Sequence, residues 1–134
     1  MNVLSINRHN EFKYYYDKKV LDKYKKFILR VYREDVPKEF RKVKPEDIEV
    51  LYYFTTGYEP VSYACWDNIE EKIYFNLVTI KEMHKAKIYG KKTTDKKFRE
   101  HIKYLLIHEN CHALGMTHED IEDGIANKKI PIKF

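Results

Sequence analysis

The segment from His108 to His118 constrains the fold of this chain more than any other part of the sequence. It reads His-Glu-Asn-Cys-His-Ala-Leu-Gly-Met-Thr-His. The first two histidines are four residues apart, a spacing that places them on one face of an α-helix. A straight helix would carry His118 about 15 Å along its axis from His108. Gly115 suits the left-handed conformation that ends helices, so we expect the chain to turn there and bring His118 back.

Three histidines in this arrangement form a ligand set for a zinc ion. Three protein ligands on a tetrahedral zinc leave the fourth position to water, which is typical of catalytic rather than structural sites. Glu109 follows the first ligand and could accept a proton from that water. The alternative is a buried helix with hydrogen-bonded histidines, in which a carboxylate without a nearby cation would be costly. The residues therefore predict zinc ligands at His108, His112 and His118, with Glu109 as general base.

The rest of the chain predicts a single α+β domain over residues 1–134, a mixed β-sheet packed on helices. Its length is near the commonest domain size. Apolar residues recur at spacings of three and four over residues 14–34 and 95–114, which predicts two long helices. A short helix is expected over 81–88, and residues 119–134 either dock on the body or fray. Four stretches rich in β-branched and aromatic residues predict strands: 3–6, 48–54, 61–66 and 72–77.

Composition limits the setting in which the chain works. Its formal net charge of +5 suits nucleic acid or acidic partners, but the charges are spread along the chain and a solvated surface is the simpler interpretation. Two cysteines, Cys65 and Cys111, are too few for a disulfide scaffold. We see no apolar run approaching the ~20 residues of a membrane span, and no signal peptide. We therefore expect a soluble, cytoplasmic protein that makes no membrane contact.

Other polar residues near the motif have both a functional and a structural interpretation. Cys111 lies about 60° around the helix from His108, and packing is favoured over metal ligation. His101 lies two turns before His108 and could approach a substrate, although a surface or core position is favoured. Three carboxylates could orient an imidazole N–H, with surface solvation as the alternative: Asp67, Glu119 and Asp120. Two further histidines belong to no pattern: His9 and His84.

The eleven residues from 108 to 118 match H-E-x-x-H-x-x-G-x-x-H at every fixed position and so resemble the metzincin clan of zinc metallopeptidases. The resemblance implies that the histidines bind Zn²⁺ and that Glu109 polarises the water that attacks a peptide carbonyl. It also implies an edge strand that holds a peptide or protein substrate extended, for which residues 61–66 and 72–77 are candidates. The chain departs from the clan because no methionine follows His118.

The order of elements is also similar to that of the bacterial endoribonucleases that mature ribosomal RNA. Their pattern H-x-x-x-H-x-x-x-x-x-H has the same histidine spacing, and they also lack the methionine turn. Residues 72–76, 81–90 and 98–118 look similar to theirs, but they have no glutamate at the position of Glu109. This resemblance implies a metal-dependent endoribonuclease acting on ribosomal RNA as the alternative to the metallopeptidase. A metal-binding module without turnover is the third hypothesis.

Overall fold

A computed structural model describes residues 18–55, 62–85 and 95–131, and the backbone alone at residues 7–8, 87–88 and 91–92. Its α-helices are α1 (Lys18–Asp35), α2 (Leu77–Lys85), α3 (Asp95–Ala113) and α4 (His118–Ala126). Its strands are β1 (Asn7–Arg8), β2 (Ile48–Leu51), β3 (Phe54–Thr55), β4 (Ala64–Asp67), β5 (Lys72–Asn76), β6 (Lys87–Ile88) and β7 (Lys91–Lys92). Two 3₁₀ turns, Lys38–Phe40 and Pro45–Asp47, lie between α1 and β2.

The main sheet is mixed and has three strands in the order β2-β5-β4. Strand β2 runs parallel to β5, with Ile48 opposite Ile73. Strand β4 runs antiparallel to β5, with Ala64 opposite Phe75. Two smaller antiparallel pairs join β1 to β3 and β6 to β7. Strand β5 is therefore central, and β4 forms one edge of this sheet.

Both faces of β5 are covered, which is why its sequence shows no alternation of polar and apolar residues. Ile73 and Phe75 belong to the main core with the apolar stripes of α1 and α3. Tyr74 faces the other side, where it belongs to a smaller cluster with Leu51, Phe54 and Cys65. The sheet thus lies between this small cluster and the helices. None of the helices in the described parts of the chain is long and apolar enough to cross a membrane.

The predicted fold class is confirmed: the protein is α+β, with a mixed sheet packed on helices. Helix α3 matches the prediction to within a residue. Helix α2 begins four residues before the predicted start at 81 and ends at Lys85, and residues 87–88 form a strand instead of the predicted helix end. The single strand predicted over 48–54 is wrong, because β2 ends at Leu51 and a separate strand begins at Phe54. The sequence did not predict α4, which packs on the core through Ile121. The strand expected at residues 3–6 lies outside the described residues.

Arg99 on α3 joins the C-terminal end of α1 through two carboxylates. Its Nε donates to Asp35 Oδ2 at 2.6 Å, and its Nη2 donates to Asp35 Oδ1 at 2.8 Å and to Glu34 Oε2 at 2.9 Å. These hydrogen bonds hold the pKa of Asp35 below its ordinary value. The two helices that cover the sheet are therefore connected by a bidentate ion pair at the surface.

The Arg99→Met variant is expected to lower the free energy of unfolding by about 1 kcal/mol at neutral pH, the upper end for exposed ion pairs. Because the folded-state pKa of Asp35 is depressed, this stabilisation is present above the unfolded pKa of about 3.9 and is lost as the pH falls below it. Urea titrations at several pH values measure the difference from wild type, with Lys96→Met as control on the same helix. A difference that persists undiminished in acid would contradict this assignment.

Candidate metal centre

Helix α3 changes character along its length. Its N-terminal part buries an apolar stripe at spacings of four: Phe98, Ile102 and Leu106. His108 and His112 follow one turn apart; His108 is largely buried, and His112 is buried with about 6% of its surface exposed. The core therefore fixes the axis of the helix, and the last two turns carry the polar groups of the motif.

Helix α3 ends at Ala113 and is followed by a turn that contains Gly115, whose φ is +90°. The N–H of Gly115 donates to His112 O at 2.9 Å, and the N–H of Met116 donates to Cys111 O at 3.0 Å. This pair of hydrogen bonds defines a Schellman motif, which satisfies the last carbonyls of a helix. A Cβ added at Gly115 would meet nothing within 4 Å, so the backbone conformation rather than space calls for glycine. The turn expected from the sequence is confirmed.

The Gly115→Ala variant is expected to lower the free energy of unfolding by about 1–2 kcal/mol, because a Cβ is unfavourable in the left-handed conformation. Gly115→Asn should be less destabilising, since asparagine tolerates this region better than other side-chain-bearing residues. Thermal melts of the two metal-free variants beside wild type measure the effect. Equal stability of wild type and Gly115→Ala would show that the turn adopts another conformation in solution.

Thr117 starts α4 directly after this turn. Its Oγ1 accepts from the Asp120 N–H at 3.1 Å, and Asp120 Oδ2 accepts from the Thr117 N–H at 2.9 Å. This reciprocal capping box fixes where α4 begins. His118 is the first residue of α4, and the cap holds its backbone next to the end of α3.

The structure brings His108, His112 and His118 together. One ring nitrogen from each lies within 4.8 Å of the other two, and His108 Nε2 is 3.1 Å from His112 Nε2. The ring centroid of His118 is 5.2 Å from that of His108 and 4.6 Å from that of His112. A tetrahedral zinc with Zn–N bonds of about 2.0–2.1 Å would hold the nitrogens about 3.3 Å apart. The triad therefore fits a metal ion with only small side-chain movements.

The hydrogen bonds around the imidazole rings are compatible with metal binding by the triad. His112 Nδ1 lies 3.0 Å from Met116 O, so the ring proton sits on Nδ1 and Nε2 keeps a lone pair. His108 Nε2 can then donate its proton to His112 Nε2 when no cation is present. His108 Nδ1 is buried and has no hydrogen-bond partner among the residues that the structure describes. The two Nε2 atoms thus face each other across a position suited to a cation.

Burial keeps the first two imidazoles neutral at physiological pH. Burial, with smaller contributions from His112 and His118, lowers the pKa of His108 to about 4. Burial likewise lowers the pKa of His112 to about 4. Since a metal binds the neutral imidazole, neither side chain has to lose a positive charge before it can act as a ligand.

Glu109 is buried beside the triad, and its two oxygens have different surroundings. Oε1 accepts a hydrogen bond of 2.8 Å from the Trp66 N–H on β4. Oε2 lies 3.9 Å from His108 Nε2, on the side of the converging nitrogens. Burial raises the pKa of Glu109 to about 8, although the Trp66 N–H acts in the opposite direction. In the chain without a metal ion, burial therefore favours the protonated carboxyl of Glu109 at neutral pH, whereas a cation held by the triad would favour the carboxylate, which is the form that can accept a proton.

Cys111 and the other histidines singled out in the sequence are not part of the triad. Cys111 is fully buried in the main core, which confirms its packing role. His101 is exposed on α3. His84 Nδ1 lies 2.9 Å from the Tyr24 hydroxyl, and its ring stacks on Phe98 with centroids 4.1 Å apart. His9 lies outside the residues whose side chains the structure describes.

Two of the three carboxylates considered as imidazole partners have a different role. Asp67 Oδ1 accepts from the backbone N–H groups of Ile69 at 2.9 Å and Glu70 at 3.3 Å, so it caps the turn between β4 and β5. Asp120 belongs to the cap of α4. The carbonyl of Met116 orients His112 instead. Glu119 is exposed at the start of α4.

Asn110 is the buried polar residue of the motif that sequence reasoning missed. Its Oδ1 accepts from the Val43 N–H at 2.9 Å and from the Tyr32 hydroxyl at 3.0 Å, and its Nδ2 donates to Leu106 O at 2.8 Å. The Tyr32 hydroxyl also lies 2.6 Å from Val43 O. Asn110 thereby ties α3 to α1 and to the segment before β2. The sequence signal that could have identified Asn110 is its amide side chain, because the neighbouring positions in the last turns of α3 are either apolar or candidate metal ligands.

The surface next to the triad is acidic. Helix α4, which begins with the third histidine, carries four carboxylates: Glu119, Asp120, Glu122 and Asp123. The Tyr104 ring lies 5.6 Å from the His108 ring. Burial, and then the negative charges of Glu109 and Glu122, raise the pKa of Tyr104. The electrostatic field near the triad is therefore negative on the side of α4.

Comparisons with known proteins add no family to this description. No protein-family model, curated protein or solved structure matches the chain significantly. The functional argument therefore depends on the geometry and chemistry of the chain itself.

Proposed function

We propose that this chain is a zinc-dependent metallopeptidase whose centre is the triad with Glu109. The observation that carries the proposal is the position of Glu109, a buried carboxyl with one oxygen 3.9 Å from a triad nitrogen. A structural zinc site closes its tetrahedron with four protein ligands and needs no such group. Three imidazoles beside a proton acceptor are the arrangement that metal-assisted hydrolysis requires.

His108, His112 and His118 would hold the ion, and the chemistry it supplies when bound is Lewis acidity toward water and the scissile carbonyl. Glu109 Oε2 accepts the proton of the attacking water and delivers it to the leaving amine. The Trp66 N–H fixes Oε1, so the carboxyl keeps one orientation throughout. The Met116 carbonyl fixes the ring of His112 in the same way.

Strand β4 is the element best placed to hold an extended substrate. Strand β5 pairs on both sides, so the candidate edge strand at residues 72–77 is wrong. Among the described residues β4 pairs only with β5, and its Trp66 contacts Glu109 directly. Glu109 Oε1 already occupies the Trp66 N–H on the outer edge of β4, so a peptide could add there through the remaining main-chain groups of that edge, next to the proposed centre. Tyr63 and Ile69, which flank β4, are exposed and offer apolar contacts.

The charge around the centre favours peptide over RNA. Binding of RNA requires cations that contact the phosphate backbone. The carboxylates of α4 lie instead beside the third histidine. A polyanion would be repelled there, whereas the main chain of a peptide is neutral. This electrostatic difference, together with Glu109, is why we place the endoribonuclease hypothesis second.

Incubation of the zinc-loaded protein with unstructured casein and, separately, with ribosomal RNA tests this proposal. We expect cleavage of casein that stops when a chelator removes the metal, and intact RNA. Cleavage of RNA alone would establish the endoribonuclease hypothesis instead. Binding of zinc without turnover of either substrate would indicate a silent metal-binding module. An identically purified Glu109→Gln variant controls for contaminating enzymes.

A further inference from the structure

Helix α1 carries a row of cations on its solvent side. Its five members follow one another at spacings of four, three, four and three residues: Lys19, Lys23, Lys26, Arg30 and Arg33. At about 100° per residue this spacing keeps them within an arc of about 80°, so they form one row about 21 Å long, the basic stripe of α1. All five side chains are exposed.

The basic stripe lies opposite the face of α1 that packs in the core. Its direction differs by roughly 160° around the helix axis from the mean direction of the buried side chains, which are Tyr24, Ile28, Val31 and Tyr32. Burial of the apolar face therefore turns the whole stripe outward. The surface that it offers to a partner is convex and carries only charged groups.

The carboxylates of α1 leave most of this stripe without a neutralising partner. The helix carries three carboxylates, and two of them, Glu34 and Asp35, are bound to Arg99 on α3. Within the described parts of the chain, no ion pair joins a carboxylate to the last four members of the stripe. Like charges one turn apart repel each other, so a polyanion on the stripe would relieve this repulsion.

The charge of the chain is distributed unevenly between two helices. Helix α1 has seven Lys and Arg residues against three carboxylates, whereas α4 has four carboxylates and no Lys or Arg. The formal net charge of +5 is therefore not uniform over the folded surface. A polyanion is attracted to α1 and repelled from the α4 side of the proposed metal centre.

We propose that the basic stripe of α1 binds the phosphate backbone of double-stranded DNA without sequence preference. The duplex carries one negative charge per about 1.7 Å of its axis, so a stripe of about 21 Å spans roughly twelve phosphate charges. The major groove of B-form DNA is about 12 Å wide and admits an α-helix, so a convex helix face fits along the phosphates that border it. Contacts to phosphates position a protein but carry no sequence information.

The composition of the stripe favours a duplex over a single strand or a membrane surface. Sites for single strands stack the bases on aromatic rings, and no member of the stripe is aromatic. Helices that lie on membranes insert an apolar face, whereas the apolar face of α1 is buried in the core. A duplex hides its bases and presents its phosphates, which is what a row of cations can bind. This site is independent of the proposed peptidase activity.

Fluorescence anisotropy of a labelled duplex of about 20 base pairs, titrated with the zinc-loaded protein, tests the proposal. We expect saturable binding with a Kd of about 1 µM at about 50 mM salt. Contact with about four phosphates gives a slope near −3.6 for log affinity against log salt, so affinity should fall roughly 150-fold between about 50 and 200 mM salt. Duplexes of unrelated sequence should bind with equal affinity.

Two double variants separate the stripe from the general charge of the helix. Lys23→Gln/Lys26→Gln should weaken binding about tenfold or more and make the salt slope less steep by about 1.8. The matched control Lys18→Gln/Lys25→Gln removes the same charge from positions about 100–120° around the helix from the centre of the stripe. It should weaken binding less than about threefold and leave the slope unchanged. Circular dichroism verifies that both variants retain their helix content.

Four results would overturn the proposal. One is the absence of saturation at about 100 µM wild-type protein in low salt. Another is an equal loss of affinity in the two double variants. The third is a single strand, duplex RNA or phosphatidylserine vesicles that bind about tenfold or more tightly than duplex DNA, which would identify another partner. The fourth is salt-sensitive self-association without DNA that Lys23→Gln/Lys26→Gln abolishes, which would make α4 of a second copy the partner.

Discussion

Replacing Glu109 with glutamine is expected to leave zinc binding intact and to slow casein cleavage by about 10²–10⁴-fold, the usual contribution of a general base. Glutamine has nearly the same shape, and its amide oxygen can still accept the Trp66 N–H that now bonds to Oε1. It cannot accept a proton on the side of the triad, where Glu109 Oε2 lies 3.9 Å from His108 Nε2. The three imidazoles are unchanged, so the variant should still bind one zinc per chain.

Zinc content and cleavage rate, measured on the same preparation, separate the two effects of this change. Glu46→Gln is the matched control, because it replaces an exposed carboxylate far along the chain from the centre. Its rate should stay within about twofold of wild type, as expected for surface substitutions. Full activity of zinc-loaded Glu109→Gln would contradict the role assigned to Glu109. Loss of zinc from that variant would make Glu109 a ligand rather than a base.

Asn110→Ala is expected to lower the free energy of unfolding by about 2–4 kcal/mol. This is a large part of the total free energy of unfolding of a typical domain, which is ~5–15 kcal/mol. The substitution leaves the buried Val43 N–H without its acceptor at 2.9 Å and removes the amide contact with Tyr32. It also removes the hydrogen bond from Nδ2 to Leu106 O. The shift of the urea unfolding midpoint, at unchanged slope, measures this loss.

Two companion variants show whether this loss comes from the buried network. Tyr32→Phe removes only the hydroxyl, so we expect a smaller effect of about 1 kcal/mol. The loss of unfolding free energy in the double variant Asn110→Ala/Tyr32→Phe should be smaller than the sum of the losses in the two single variants, because both side chains belong to the same hydrogen-bond network. Asn68→Ala, in the exposed turn after β4, should stay within about 0.5 kcal/mol of wild type. If Asn110→Ala were as mild as Asn68→Ala, the network would contribute nothing.

The parts of the site that depend on periodicity could be predicted from the sequence. Helix α3 follows from an apolar stripe of spacing four, and the spacing of His108 and His112 places both on one face of it. The turn at Gly115 follows because few residues other than glycine adopt a positive φ without strain. The approach of His118 to the other two histidines follows from these two features together. Each of these inferences depends only on the backbone geometry of residues close together in the sequence, which the residue types determine.

The parts of the site that depend on long-range backbone contacts could not be predicted. Glu109 is held by the Trp66 N–H, and His112 is held by the Met116 carbonyl. Both are main-chain groups, and every residue has a carbonyl and, apart from proline, an N–H, so the sequence does not distinguish these two positions. Helix α4 is short, and its start is set by a capping box of Thr117 and Asp120. The sequence pattern allowed Asp120 to be an imidazole partner instead. The edge position of β4 required the pairing of β2 with β5 across a long stretch of chain.

The most direct test of the central claim is the zinc affinity of the three histidine-to-alanine variants. His101→Ala is the matched control, because it removes the same side chain from an exposed position on α3. The metal-free proteins are titrated with zinc against a chromophoric chelator. The account predicts one zinc per chain with equal affinity for wild type and His101→Ala, and affinities lower by about 100-fold or more for His108→Ala, His112→Ala and His118→Ala. Unchanged zinc affinity in the three variants would contradict it.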